Sequence, residues 1–233
     1  MKHGSLPPGQ HERDDFPRFG LLPFAHRFPA RPHHIDLRVC GAVRNEIELD
    51  AASLARLPRV EQNSDFHCVT GWSQRGLRWS GVRLREVYAQ LILPLAGPAD
   101  DALFVVLRGQ DGARCSLPLA DLLADDVLLA DRLNGQTLTI SHGAPLRLVA
   151  PAHYGYKNIK HLCRLEFHRD LSGYRPSAYR FMEHPRARVA AEERGQGLPG
   201  WLLRLLYRPL IQFTATRFAR ASTQYQRDGG PLP

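Results

Sequence analysis

The chain alternates short apolar runs with polar turns along most of its length. An alternating or continuous apolar run of about four to eight residues indicates a strand, because successive side chains of a strand point to opposite faces. Such runs predict strands at 35–43, 47–49, 66–70, 102–108, 113–117, 127–130, 147–150 and 163–167. Helical spacing predicts helices at 51–56, 84–92, 119–123 and 186–194, and one at 201–220 that Pro209 would kink.

These short elements show neither the strand–helix–strand rhythm of a parallel α/β sheet nor an internal repeat, so the sequence predicts an α+β fold. We predict three segments. An extended arm rich in proline, arginine and histidine covers 1–34, and the main domain covers 35–170. The composition then changes, which predicts a wrapping segment and a C-terminal amphipathic helix within 171–233.

The charge balance favours an anionic partner. The 233 residues include 31 Lys and Arg against 23 Asp and Glu, a formal net charge of +8. Nucleic acid, an acidic membrane or an anionic cofactor would each suit this charge. The arginines follow no nucleic-acid motif, so we expect no nucleic-acid partner. No apolar run reaches the roughly 18 residues of a membrane span, and the polar N-terminus lacks a signal pattern, so we expect a cytoplasmic protein.

Two basic blocks indicate a site for a phosphorylated ligand. His142-Gly-Ala-Pro-Leu-Arg147 combines a glycine, a proline and an arginine that enters a strand, and Lys157-Asn-Ile-Lys160 follows it. Guanidinium groups, ammonium groups and exposed backbone N–H groups all bind phosphate oxygens. The alternative is a charged turn beside a hairpin.

Four cysteines could carry chemistry, and their wide spacing does not suggest zinc: Cys40, Cys68, Cys115 and Cys163. Taken singly, each is best explained as a small buried apolar residue. Cys68 differs by its neighbours. The stretch Asp65-Phe-His-Cys-Val-Thr-Gly-Trp-Ser73 leads a short apolar strand into a turn, which is a suitable place for a thiol that faces a pocket.

Five blocks in this order resemble the sulfite-oxidase-type molybdopterin-dependent oxidoreductases, and the cysteine block is closest to the bacterial single-domain branch. The blocks are Asp65–Ser73, Trp79–Leu84, Leu128–Gly135, His142–Pro151 and Tyr154–Lys160. The resemblance covers about 20–168. It implies mixed β-sheets with short helices, a molybdenum–molybdopterin cofactor, and oxygen-atom transfer to or from a small substrate such as a sulfite-like oxyanion or a sulfoxide. The chain shows no haem, flavin or iron–sulfur motif, so electrons would pass to an external carrier or a membrane redox subunit.

The resemblance also assigns residues. Cys68 matches the cysteine that ligates molybdenum. The residues that match cofactor-binding positions are His26, Arg27, His142, Arg147, Asn158, Ile159 and Lys160. Near the metal, Arg75 and Tyr156 are the predicted catalytic residues. Other candidates for the substrate path are His67, Trp72 and Arg78, with His153 and His161 as weaker ones. Asp131 stands where animal and plant sulfite oxidases carry a tyrosine, which leaves the substrate open.

The C-terminal stretch Leu198–Phe213 is apolar but carries arginines. Three explanations compete for it. It packs on the domain, it lies on an anionic membrane surface, or it docks a partner such as an electron carrier. For the whole chain, the alternative class is a non-catalytic molybdopterin- or anion-binding partner protein. The presence of Cys68 together with the full phosphate block favours an enzyme.

Overall fold

The computed structural model describes residues 5–231, so the first four and last two positions of the predicted arm and extension lie outside the described residues. The strands are β1 His11–Glu12, β2 Asp36–Gly41, β3 Ile47–Asp50, β4 Arg59–His67, β5 Trp72–Arg83, β6 Phe104–Gly109, β7 Arg114–Pro118, β8 Leu128–Leu133, β9 Gln136–Thr137, β10 Arg147–Val149 and β11 Leu162–His168. The α-helices are α1 Ala51–Ala55, α2 Leu84–Val87, α3 Leu119–Leu122, α4 Gly200–Tyr207 and α5 Leu210–Arg227. A π-helical segment, Tyr88–Ala96, continues α2.

The strands form two mixed sheets. One has the order β3-β2-β11-β6-β7, in which only β2 and β11 run parallel. The other has the order β1-β5-β8-β10, with β4 paired to β5 and β9 paired to β8. The main hydrophobic core joins both sheets, since Leu107 and Leu165 of the first pack in one cluster with Leu129 and Leu148 of the second. The predicted α+β class with mixed sheets and short helices is confirmed.

The second sheet is buried on both faces. Neighbouring residues of β8 belong to different clusters, because Leu129 joins the main core while Leu128 packs with Trp79 on the other face. Side chains alternate along a strand, so Arg147 and Val149 of β10 lie on the face opposite Leu148. Arg147 accordingly lies over Trp79, with its guanidinium carbon 4.7 Å from the ring centroid. This outer face is where the candidate site is built.

Most predicted strands are confirmed within a residue or two, as are the short helices at 51–56 and 119–123. The predicted helix at 84–92 is present as α2 and the π-helical segment after it. The strand predicted at 66–70 is wrong, because β4 ends at His67 and a turn follows. The helix predicted at 186–194 is also wrong. Ala187 and Glu192 have left-handed backbone angles of φ 56° and 52°, which no α-helix accommodates.

The predicted C-terminal helix forms two helices, α4 and α5, that meet at Pro209. The inner face of α5 packs on the arm: Phe218 and Ala221 form a cluster with Ala25, and Tyr225 stacks on Phe28 with centroids 3.8 Å apart. Within residues 5–231, no helix has the length and apolar character needed to cross a membrane.

Candidate cofactor site

Cys68 begins the turn of the long β4–β5 hairpin. His67 pairs with Ser73 at the end of the ladder. The Cys68 backbone N–H donates to the Trp72 carbonyl at 2.8 Å, and the Gly71 N–H donates back to the Cys68 carbonyl at 3.0 Å. Gly71 has φ +109°, a conformation that glycine adopts without steric cost. The hairpin therefore presents Cys68 on a closed, hydrogen-bonded turn.

Three remote segments hold this turn. The Gln10 amide donates to the Cys68 carbonyl at 3.1 Å. The Arg194 guanidinium, fully buried, donates to the carbonyl of Val69. Ile211 of α5 belongs to one apolar cluster with Cys68 and Trp72. The arm, the wrapping segment and the C-terminal helix thus all converge on one turn, which restricts the motion of the thiol.

The Cys68 thiol is 7% exposed and lies 3.1 Å from the Thr70 hydroxyl. Burial raises the pKa of this thiol, while the Thr70 hydrogen bond and the nearby cations Arg194 and Lys160 act in the opposite direction. A metal binds the thiolate form, and cationic neighbours favour that form. The surroundings of Cys68 therefore suit a thiol that becomes anionic when it binds a metal.

Arg147 supplies a buried cation beside this turn. Its guanidinium is fully buried and donates to the carbonyl of His142 at 2.7 Å. Burial lowers the pKa of Arg147 to about 9. Among residues 5–231, no carboxylate forms an ion pair with it at 4.0 Å or less. Burial of an unpaired charge is costly, so the group is placed to meet an anion.

Lys160 is the second cation of this cluster. Its ammonium donates to the Ser141 carbonyl at 2.6 Å. Burial lowers the pKa of Lys160 well below its usual range, and the positive charges of Arg147 and Arg18 lower it further. Asp111 acts in the opposite direction. In the described part of the chain, Lys160 likewise has no carboxylate within ion-pair distance.

His142 adds an unpaired polar atom. Its ring stacks on Phe16 with centroids 4.8 Å apart, and its Nδ1 is buried without a hydrogen-bond partner in the described structure. Burial, with Lys160 and Arg147, lowers the pKa of His142 to about 3, so the ring is neutral. Gly143 permits close packing, since a Cβ there would lie 3.0 Å from the Arg147 Cβ and 3.3 Å from the Lys160 Cα.

One buried and one half-buried cation without carboxylate partners, together with one buried, unpaired ring nitrogen, form a coherent set. Buried polar groups are nearly always paired, so such a set indicates an anionic ligand. The residues present therefore fit a phosphate-bearing pterin that also brings a metal to the Cys68 thiol. The structure brings Cys68, His142, Arg147 and Lys160 of the predicted set into one region.

The other predicted cofactor residues lie in different surroundings. Asn158 is buried and its side-chain oxygen accepts from the Ala150 N–H at 2.6 Å, which fixes the loop after β10. Ile159 belongs to the main core. His26 and Arg27 are exposed on the arm, where Arg27 lies 4.5 Å from the Phe24 ring. Their roles in cofactor binding stay predictions.

Tyr156 and Arg75 are the predicted catalytic residues. The Tyr156 hydroxyl accepts a hydrogen bond from the His184 N–H at 3.0 Å, and burial raises its pKa well above the usual range. The Arg75 Nε lies 3.6 Å from a carboxylate oxygen of Glu12. Both side chains are thus oriented by the surrounding chain, and their catalytic roles stay predictions.

His67 takes part in a hydrogen-bonded chain that ends at the Cys68 turn. Its Nδ1 is 2.7 Å from the Ser73 hydroxyl, which donates to the Gln10 side-chain oxygen at 2.9 Å. Burial lowers the pKa of His67.

The remaining candidates for the substrate path differ in exposure. Trp72 is buried in the same cluster as Cys68, whereas Arg78 is exposed. His153 and His161 have Nδ1 atoms that lie 2.5 and 2.6 Å from backbone carbonyl oxygens.

Sequence reasoning missed Arg18 and Arg194. Arg18 is buried in the arm, donates to the carbonyls of Ala25 at 2.6 Å and Arg27 at 2.7 Å, and lies 5.0 Å from the Phe218 ring of α5. Burial lowers its pKa to about 10. The only local signal was its position between aromatic residues in Phe16-Pro-Arg-Phe19, which no motif distinguishes.

A buried thiol on a hydrogen-bonded hairpin turn, near cations without carboxylate partners, indicates a domain that binds an anionic cofactor. The chain belongs to the oxidoreductase molybdopterin binding domain family, whose model matches residues 25–174. The predicted family, the enzyme class and the molybdenum–molybdopterin cofactor are therefore confirmed. The protein is a molybdopterin-dependent oxidoreductase, which sets aside the non-catalytic alternative.

Individual proteins show the same relationship. The uncharacterized oxidoreductase YuiH of Bacillus subtilis is 36% identical over 166 residues, covering 70% of this chain and 79% of that protein. The protein-methionine-sulfoxide reductase catalytic subunit MsrP of Gluconobacter oxydans is 31% identical over 187 residues. That match covers 70% of this chain but only 58% of MsrP. The crystal structure of the sulfane dehydrogenase SoxCD from Paracoccus pantotrophus matches with a TM-score of 0.53 and 25% identity, covering 66% of this chain and 44% of that one.

Proposed function

We propose that the protein catalyses oxygen-atom transfer to or from a small sulfur-containing substrate, an oxyanion or a sulfoxide, and exchanges electrons with an external carrier. The observation that carries the proposal is the rigid Cys68 turn beside the unpaired Arg147–Lys160 cation pair. The names of two relatives support the substrate class, since one is a protein-methionine-sulfoxide reductase subunit and the other a sulfane dehydrogenase.

Different residues of the site would hold different parts of the cofactor. Arg147, Lys160 and His142 would hold the phosphate-bearing end of the cofactor by charge and hydrogen bonds. Cys68 would ligate the metal as a thiolate, and the clamps from Gln10 and Arg194 would keep its geometry fixed. When bound, the molybdenum cofactor supplies two-electron redox chemistry with transfer of an oxygen atom.

A narrow cleft with room for about one water molecule lies beside the turn. It is lined by His67, Trp79 and His153, among others. Burial lowers the pKa of both histidines, so their rings are neutral near neutral pH. Nδ1 of each ring carries the proton, which is donated to the Ser73 hydroxyl or to the Arg186 carbonyl, so Nε2 is an acceptor that can take a hydrogen bond from a protonated group of the substrate. We propose that His67, one residue from Cys68, orients the substrate from this side.

The test uses protein expressed in a host that makes the cofactor. Molybdenum content is measured first, and turnover is then measured with sulfite and with methionine sulfoxide, using artificial electron acceptors and donors. We expect Cys68→Ser to lose turnover while its circular dichroism stays unchanged. Cys40→Ser is the matched control, because Cys40 is also 7% exposed but lies in the other sheet. It should keep full turnover.

Two results would overturn the proposal: molybdenum-free protein from the competent host, or normal turnover in Cys68→Ser. Turnover of sulfite with an electron acceptor would indicate oxidation of the substrate. Turnover of methionine sulfoxide with an electron donor would indicate reduction. A cytoplasmic location is part of the proposal and is tested by fractionation of the native cells.

A further inference from the structure

The outer face of α4 and of the start of α5 carries large exposed apolar side chains. They are Trp201, Leu205, Leu206, Leu210 and Phe213, each 48–59% exposed. The same helices bury a separate set on their inner face, including Leu203, Ile211 and Phe218. We call the exposed set the docking face. Clusters of apolar side chains on a surface usually mark an interaction site.

The wrapping segment also exposes aromatic side chains near α4. Tyr179 and Phe181 are exposed and their rings stack with centroids 6.0 Å apart. A Cβ placed on Gly195 would lie 2.3 Å from the Phe181 carbonyl oxygen and 2.7 Å from the Leu203 side chain, so this segment lies directly beside α4.

Positive charge predominates around the docking face. Between Arg194 and Arg227 the sequence contains six arginines, these two included, and no aspartate or glutamate. On α5, Arg217 and Arg220 follow Leu210 and Phe213 at spacings of three and four residues, which places all four on one helical face. Arg208, Arg217, Arg220 and Arg227 are exposed, so their charge extends along the border of the apolar surface. Arg194 is buried, and Arg204 pairs with Glu192 at 2.7 Å.

We propose that the docking face binds the surface of an anionic lipid bilayer. Trp201, Leu205 and Leu206 would enter the boundary between headgroups and acyl chains, and Arg217 and Arg220 would pair with lipid phosphates. An amphipathic helix with apolar and arginine-bearing positions on its outer side is the pattern of interfacial helices. A second copy of the chain is a poorer occupant, because a symmetric contact would bring like charges together.

Docking would also set the distance between the membrane and the site. Ile211, on the inner face of α5, belongs to the same apolar cluster as Cys68, while Leu210 and Phe213 face outward. An α-helix with its side chains is about 10 Å across, so the Cys68 turn would lie roughly one helix diameter from the lipid. Resting on the proposed function, this position would favour electron exchange with a carrier held in the membrane.

The experiment is flotation of the full chain with lipid vesicles. Vesicles of phosphatidylcholine alone are compared with vesicles that contain about one-third phosphatidylglycerol. We expect binding to the anionic vesicles, reduced at about 1 M NaCl, where the Debye length is about 3 Å. The double variant Leu205→Gln/Leu206→Gln should lower partitioning at least about tenfold. Leu93→Gln/Leu103→Gln, changed at similarly exposed leucines outside the docking face, should bind as the wild type does.

Tryptophan fluorescence gives a second readout. Trp72 and Trp79 are 1% exposed, whereas Trp201 is 52% exposed, so a lipid-induced blue shift reports on Trp201. Brominated acyl chains should quench this emission, and Trp201→Phe should abolish both effects.

Failure of the wild type to bind anionic vesicles would overturn the proposal, as would equal binding by Leu205→Gln/Leu206→Gln. If instead sedimentation velocity shows a dimer that this variant converts to a monomer, and vesicles are not bound, the face joins two copies and the lipid proposal is wrong. Molybdenum content and turnover with soluble carriers should not change in the variant, so this test is separate from that of the proposed function.

Discussion

Substitution of Arg147 by methionine removes a fully buried guanidinium but keeps an unbranched side chain. Burial lowers the pKa of Arg147 from 12.5 to about 9. Each tenfold change in the acid constant corresponds to about 1.4 kcal/mol, so the folded protein holds this charge at a cost of about 5 kcal/mol near pH 7. Arg147→Met removes that cost in the cofactor-free protein.

The substitution also removes favourable contacts. The carbonyl of His142 loses its 2.7 Å hydrogen bond, which costs about 1–3 kcal/mol if the group stays buried. The interaction with the Trp79 ring at 4.7 Å contributes about 1–2 kcal/mol more. The net result is a cofactor-free protein whose free energy of unfolding is unchanged or raised by up to about 3 kcal/mol. Its Tm would then rise by up to about 10 °C.

Cofactor binding should be weaker in Arg147→Met, because the variant lacks a cation for the phosphate. Unfolding by urea is measured on protein from a strain that makes no cofactor, and molybdenum on protein from a strain that does. Arg132→Met, at an exposed arginine of β8, is the control and should change neither. A loss of more than about 3 kcal/mol in Arg147→Met, or full molybdenum content, would refute the reasoning, because Arg147 would then be a structural residue.

Three further predictions concern the surroundings of the site. Burial lowers the pKa of His161 from 6.5 to about 3, so the folded protein is stabilised by the neutral ring above pH 6.5 and loses this stability as the pH falls towards 3. Between about pH 7 and pH 5, this group should lower the free energy of unfolding by about 2 kcal/mol, as measured by urea unfolding. His161→Asn, a residue type that suits the φ of 55°, should remove that part of the pH dependence. Lys157→Met should cost about 3–5 kcal/mol by the same assay, because it breaks a buried 2.9 Å pair with Glu183, and adding Glu183→Gln should restore part of it. Gly143→Ala, at φ +111°, should lower both stability and molybdenum content, whereas Gly173→Ala, with open space at its Cβ, should not.

The sequence predicted best those strands that are apolar on both faces. β6 and β8 each begin with a continuous apolar run whose side chains are buried on both faces, so length and composition identify them. The β4–β5 hairpin was harder. Residues of β4 alternate between exposed and half-buried positions with few apolar side chains, and Gly76 interrupts β5 at φ +64°. The ladder is therefore held by backbone pairing that leaves little hydrophobic pattern in the sequence.

The residues of the site also divide into those that a sequence pattern identifies and those that act through backbone contacts. Cys68, His142, Arg147 and Lys160 stand in short blocks whose residue types report their chemistry. Gln10, Arg18 and Arg194 do not, because each acts on backbone carbonyl groups, which every residue possesses. The bond from Gln10 spans 58 residues and that from Arg194 spans 125. No local pattern encodes such a contact, and only the folded chain reveals it.

The convergence of remote segments on the Cys68 turn has a consequence for biosynthesis. Ordering a turn through a contact 125 residues away requires closure of a long loop, whose entropic cost grows with loop length. A ribosome adds about 5–20 residues per second, so Ile211 emerges several seconds or more after Cys68. During that interval the nascent chain exposes the thiol without the helix that covers it. The complete surroundings of Cys68 therefore form only after α5 has emerged.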